Sequence, residues 1–238
     1  AEHLERLQAS AHAMMFANVP DNDFITEAIY ATLKANGMSD GAHIRLTLTR
    51  GEKITSGMDP RLNQSGCTLI VLAEWKAPVY QNAVTLITSS IRRNGPANID
   101  SKIHHNNLIN NILAKIEANN AGADDALMLD NNGFVAETNA CNIFMIKNGM
   151  VFTPNADACL PGITRKTVIT LCQQNNIPIH LKNISLTEMY NADQVFTTGT
   201  MGELTAVKMI DGRAIINRSG TDLLQHINDL FRNLTLAL

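Results

Sequence analysis

The sequence lacks most of the features that would make its function easy to read. No apolar run approaches the ~20 residues that a membrane-crossing helix needs, so no membrane partner is expected. A net charge of −3 over 238 residues gives no general pull toward nucleic acid or an anionic bilayer. Cys67, Cys141, Cys159 and Cys172 are far apart and form no C-x-x-C pair, which fits reduced core thiols in a cytoplasmic protein. Adjacent His104 and His105 chelate poorly, and with no further ligand at a standard spacing no metal site is expected. Neither G-x-G-x-x-G nor a Walker loop is present, and Ser56–Gly57 and Ser65–Gly66 lack the nucleophile elbow of serine hydrolases. The chain has no initial Met and no signal peptide. It enters directly on a helical pattern (Leu4, Leu7, Ala11, Met14), so an earlier segment is expected to be missing.

What is present is a chain of 45% hydrophobic and 17% charged residues, suited to a soluble fold with a sizeable core. Residues 3–17 and 23–36 read as amphipathic helices, the second stopped by Asn36–Gly37. His43 to Arg50 alternates with period two, putting His43, Arg45, Thr47 and Thr49 on one face of a strand. Either that face meets solvent, or it lines a cleft where Arg45 meets an anion. With the apolar runs Cys67–Ala73 and Val84–Ser89, these elements make a small α/β domain over residues 1–92. Arg92–Arg93–Asn94–Gly95–Pro96 breaks the pattern, so an interdomain loop is placed at 93–104 and a large domain at 105–238.

The large domain is organised around 124–165. Strand-like runs Ala126–Leu129 and Asn142–Ile146 bracket a turn at Asn131–Asn132–Gly133, with the acid Glu137 between them. Lys147–Asn148–Gly149 turns the chain into Met150–Phe152, and Leu160–Pro161–Gly162–Ile163–Thr164–Arg165 opens a helix over 164–174. Ser185–Leu186–Thr187–Glu188 fits a capping box, Gln194–Thr200 a strand, Asp211–Gly212 a hairpin turn, and Leu223 to Leu234 a closing amphipathic helix. Two places suit a phosphate: the helix start at Gly162–Ile163–Thr164, and the strand-end turn Gly199–Thr200. Each alone is weak, since glycine and threonine at a cap are ordinarily structural.

Together these residues resemble a known family. Lys102, Ala114 to Ala118, Gly122 to Asp130, Gly133 to Glu137, Asn142–Ile143–Phe144, Leu160 to Arg165, Ala192 to Phe196 and Thr198–Gly199–Thr200 stand in the order and spacing of the class IV pyridoxal-phosphate aminotransferases, most like the branched-chain enzymes. The resemblance implies an α/β (α+β) fold of two domains, a small α/β domain and a larger one with a β-barrel-like core. It also implies pyridoxal 5'-phosphate as cofactor, an amino acid and a 2-oxo acid such as 2-oxoglutarate as substrates in a ping-pong reaction, and a homodimer. Lys102 would be the Schiff-base lysine, and Glu137 would face the pyridine nitrogen. Arg6, in His3–x–x–Arg6–Leu7, would contact phosphate with Gly162, Ile163, Thr164, Gly199 and Thr200, while Leu160 would pack on the ring. Arg45, Thr200 and Met201 would meet the substrate. An amine must be uncharged to attack an aldehyde, and a carboxylate beside the ring nitrogen keeps that nitrogen protonated. Asn107 stands where branched-chain enzymes usually carry a tyrosine, and Cys141 where they often carry an acid. D-amino-acid aminotransferases, aminodeoxychorismate lyase and a non-catalytic relative remain alternatives. Apart from the resemblance, Lys102 would read as an exposed loop lysine and Glu137 as a surface strand acid.

Overall fold

A computed structural model describes residues 1–77 and 82–236. The chain divides into two compact units, Ala1–Ala77 and Pro78–Leu238. In the first, helices α1 (Glu2–Ala13) and α2 (Asn22–Ala35) precede strands β1 (Ala42–Thr49) and β2 (Thr68–Trp75). The strands pair antiparallel along their whole length, from Ala42 opposite Trp75 to Thr49 opposite Thr68. Helix α1 stops short of the expected residue 17 because Met15 adopts φ 54°, outside the helical region. Helix α2 begins where Asp21 caps the Phe24 N–H at 2.8 Å.

The second unit is built on β3 (Val84–Thr88), α3 (Ile109–Asn120), β4 (Asp125–Leu129), β5 (Val135–Thr138), β6 (Asn142–Lys147) and β7 (Met150–Thr153). It continues with α4 (Ile163–Gln174), β8 (Ile179–Leu181), α5 (Leu186–Tyr190), β9 (Gln194–Gly199), β10 (Glu203–Ile210), β11 (Arg213–Ala214) and α6 (Leu223–Leu236). One nine-stranded sheet runs β5-β4-β3-β10-β9-β6-β7-β8, with β11 on β10. Strands β5 and β6 follow one another in the chain yet lie five places apart in that order. The turn joining them is short, with the Thr138 N–H donating to the Cys141 carbonyl at 2.8 Å. A sheet satisfies both conditions only by curling round, so the expected barrel-like core is a curled sheet.

The division differs from the one expected at residues 93–104. Strand β3 lies in the middle of the second unit's sheet, parallel to both β4 and β10. The segment after it stays alongside β4, with Ser89 N–H donating to Leu127 O and Arg93 N–H to Leu129 O, both at 2.8 Å. The Gly–Pro break at 95–96 therefore marks the end of a paired segment inside the unit. Residues 78–81, within the expected first domain, lie outside the described residues.

Apolar clusters cover both faces of the curled sheet. Ile143, Met145, Val195 and Ile210 pack with Leu86, Leu127 and Met189. On the other face, Phe144 and Phe196 stack at 4.9 Å and meet Val168 and Cys172 of α4 and Ile227 and Phe231 of α6. The capping box at α5 forms as its sequence predicts: Glu188 N–H donates to Ser185 Oγ at 3.3 Å, and Ser185 N–H to Glu188 Oε2 at 2.9 Å. Asp211 fastens β3 and α5 to the β10–β11 turn, accepting from the Thr88 N–H at 2.6 Å, the Thr88 hydroxyl at 2.5 Å and the Tyr190 hydroxyl at 2.6 Å. Asp211→Ala leaves three donors without their acceptor and is expected to lower unfolding free energy by about 2–4 kcal/mol in urea titrations. A change below about 0.5 kcal/mol would show that water replaces the carboxylate there.

Candidate active site

Glu137 lies on β5, an edge strand, opposite Met128 of β4, whose side chain packs on α3. The position is buried, contrary to the ordinary expectation for a strand acid. Its Oε1 accepts from Arg93 Nε at 2.6 Å, and its Oε2 from Asn142 Nδ2 at 3.2 Å. Arg93 is buried too, and its Nη1 donates to Asn110 Oδ1 at 3.1 Å. Burial pushes the Glu137 carboxyl up to about 7, against the opposing pull of Arg93, the Leu160 N–H and Arg165. Removing one member of such a buried pair typically costs about 3–5 kcal/mol, because the other is left as an uncompensated charge.

Asn142 joins this acid to the start of α4. Its Nδ2 also donates to the Leu160 carbonyl at 2.8 Å, and its Oδ1 accepts from the Gly162 N–H at 3.2 Å. Gly162 is the N-cap of α4 and provides no side-chain cap, so the first N–H groups of the helix, at Ile163 and Thr164, have no partner within it. Glycine is required here by space: a Cβ at 162 would overlap the Asn142 amide oxygen. The close approach of Asn142 thus leaves the helix end bare and suited to an anion.

Lys102 is exposed, in a turn before α3. Its Nζ lies 3.5 Å from the Asp157 carbonyl and 3.7 Å from Asp100 Oδ1. Asp157 and Leu160 belong to one loop, 154–162, so that loop touches Lys102 at one end and, through Asn142, Glu137 at the other. Between them sits the buried Cys159 thiol, pushed up to about 12 by burial and by Glu137, with Arg165, Arg93 and Lys102 pulling the other way.

At the end of β9, Thr198 pairs across the sheet with Asn142, which puts the two side chains on one face. The Thr198 hydroxyl is buried and, among the described residues, has no hydrogen-bond partner. Gly199 passes close to Cys141 Sγ, Thr200 is exposed in the turn that follows, and Met201 is half-buried. In the first unit, Arg6 is half-buried on α1, where burial lowers its guanidinium, and Arg45 is exposed on β1 opposite Leu72. Arg93, Asn110 and Asn142 were given no site role from sequence. The available signals were two arginines preceding a Gly–Pro break and one asparagine heading an otherwise apolar strand.

The donor set fits a flat cofactor carrying an aldehyde, a basic ring nitrogen and a phosphate. It offers an exposed amine, a buried acid, an uncapped helix end and a hydroxyl without a partner. Among the described residues no group of three or more His, Cys, Asp or Glu side chains could hold a metal.

The curled sheet with its flanking helices is the fold of an aminotransferase. It superimposes on the crystal structure of the branched-chain amino acid aminotransferase of Escherichia coli with a TM-score of 0.89 and 29% identity, covering 98% of this chain and 78% of that one. The branched-chain amino acid aminotransferase of Thermoproteus uzoniensis, a thermophilic archaeon, solved with norvaline, gives 0.88 and 30%, covering 99% and 78%. A further branched-chain amino acid aminotransferase, from T.th. and solved with pyridoxamine 5'-phosphate, also gives 0.88 and 30%, covering 98% and 77%. The family model described as "Amino-transferase class IV" matches residues 1–210, and the chain belongs to that family. Branched-chain-amino-acid aminotransferase-like protein 2 of Arabidopsis thaliana is 58% identical over 236 residues, 98% of this chain. The chain spans 42% of that relative's length.

A carboxyl raised by burial binds its proton more tightly folded than unfolded, so folding stability falls as pH rises from the unfolded value near 4.5 through about 7. Without cofactor, the wild type is expected to lose about 3 kcal/mol relative to Glu137→Gln across that window. Parallel stability curves for the two proteins would refute the buried-acid assignment.

Proposed function

We propose that this chain carries the cofactor site of a pyridoxal-phosphate-dependent aminotransferase, exchanging the amino group of an L-branched-chain or other apolar amino acid with a 2-oxo acid such as 2-oxoglutarate. The observation that carries the reading is the buried Glu137 carboxylate, tied by Asn142 to an uncapped helix end while one loop also reaches Lys102. When bound, pyridoxal 5'-phosphate supplies an aldehyde that condenses with amines and a protonated ring that draws negative charge from the substrate Cα.

The chain's own residues take the remaining roles. Lys102 Nζ would hold the cofactor by its aldehyde carbon and, once released by the amino substrate, take the Cα proton and return it to the other side of the system. Glu137 would keep the ring nitrogen protonated, with Leu160 against the ring. The N–H groups of Ile163 and Thr164, freed by Gly162, would take the phosphate with Gly199 and Thr200. The Thr200–Met201 turn would meet the substrate carboxylate. The proposed anion contacts of Arg6 and Arg45 are supported by the His3–x–x–Arg6–Leu7 pattern and by strand alternation.

A cytoplasmic homodimer completes the reading. All four cysteines are free, which suits a reducing compartment. Helix α3 exposes Ile109, Ile112, Leu113 and Ile116 at helical spacing, an apolar stripe suited to an isologous contact. Ile112→Glu is expected to halve the mass seen in sedimentation, and an unchanged mass would remove this face from the dimer.

Added pyridoxal phosphate is expected to produce a visible absorbance band that Lys102→Ala abolishes. L-Leucine should then bleach it at least about tenfold faster than D-alanine, and 2-oxoglutarate should restore it. No band in the wild type would refute the cofactor assignment, and faster bleaching by D-alanine would refute the L-substrate.

A further inference from the structure

We infer that Arg93 is a positioning residue: its guanidinium aims Glu137 and favours its ionised form, and so sets the lowest pH at which the proposed site can grip a ring nitrogen. The inference rests on the function proposed above, but its first part concerns the chain without cofactor.

Arg93 is located independently of the acid it meets. Its backbone N–H is bonded to Leu129 of β4, and its Nη1 to Asn110 of α3. The Asn110 amide in turn donates to the Arg92 carbonyl at 2.8 Å. Strand β5 pairs with β4, so the strand that fixes Arg93 also fixes Glu137, and the 2.6 Å contact follows from sheet register. A carboxylate has about four lone-pair directions. Arg93 Nε takes one on Oε1, Asn142 Nδ2 takes one on Oε2, and the Leu160 N–H also bonds the group.

The groups that act on Glu137 are few. Arg93 reaches it from the segment after β3, Arg165 from α4, Cys159 from the loop before α4, and Cys141 from the β5–β6 turn. Both thiols are pushed up to about 12 and are neutral at ordinary pH. Arg165 spends its hydrogen bonds on Pro154 O at 2.8 Å and Thr153 Oγ1 at 3.4 Å. Arg93 is the cation that touches the carboxylate. Without it burial acts with less opposition, and a protonated Glu137 presents a hydroxyl where a ring N–H needs an acceptor.

The test uses the full chain as wild type, Arg93→Met and Arg93→Lys. In the cofactor-free proteins, carbon-13 NMR of labelled glutamate follows the Glu137 carboxyl, assigned by the signal missing in Glu137→Gln. Its midpoint is expected to rise by about one pH unit or more in Arg93→Met, and by less in Arg93→Lys. In the cofactor-loaded proteins, the acid limb of the kcat profile should move up with it. At pH 7 kcat should fall about fivefold or more in Arg93→Met with little change in KM, and Arg93→Lys should recover part of it.

An unmoved NMR midpoint overturns the inference even when the visible band is normal. A shifted midpoint with no band in any protein upholds Arg93's hold on the acid while refuting the cofactor reading. Should Arg93→Met not fold, Arg93→Lys decides: a raised midpoint supports the inference and an unchanged one overturns it.

Discussion

An acid held out of water at the seam of a curling sheet is the constraint on which the rest of the second unit depends. A buried carboxylate is tolerable only if cations and N–H groups surround it, and those groups have to come from several parts of the chain. Arg93 comes from the segment running beside β4, Asn142 from the first residue of β6, and the Leu160 N–H from the loop before α4. The sheet brings them together because β5 and β6, neighbours in sequence, close the curl that the other strands open. The same closure exposes the end of α4, since Asn142 is both the partner of the acid and the reason for glycine at the helix cap.

Local patterns were legible wherever short-range chemistry decides structure. Asn36–Gly37, Ser185–Glu188 and Asp211–Gly212 act within a few residues, and the helices and turns they delimit stand close to where their spacing puts them. Glu137 was visible as a lone acid between apolar strands. Its burial was not, because that depends on Arg93, 44 positions earlier, lying beside β4. Strand β3 illustrates the same limit. Val84–Thr88 reads correctly as a strand, but its partners start near residues 125 and 207, and no local pattern announces parallel pairing over that separation. Two arginines before Gly95–Pro96 look like a solvated linker for the same reason.

Family membership follows from a match over residues 1–210 and explains why separate motifs share one architecture. Two positions give this chain a local chemistry of its own. Asn107 is exposed, with a shorter reach than the tyrosine the resemblance leads one to expect. Cys141, where the resemblance leads one to expect an acid, is a thiol that burial keeps neutral, close to Gly199.

The Asn142 side chain also acts as a gauge. One carboxamide separates the oxygen that receives Gly162 from the nitrogen that reaches Glu137, so the gap between acid and helix end is spanned by that planar group and a hydrogen bond of 3.2 Å at each side. Such a bridge resists large changes in the gap. Small molecules with an anionic tail and a basic head would be sorted here by the length between the two, before any difference in their reactivity came into play.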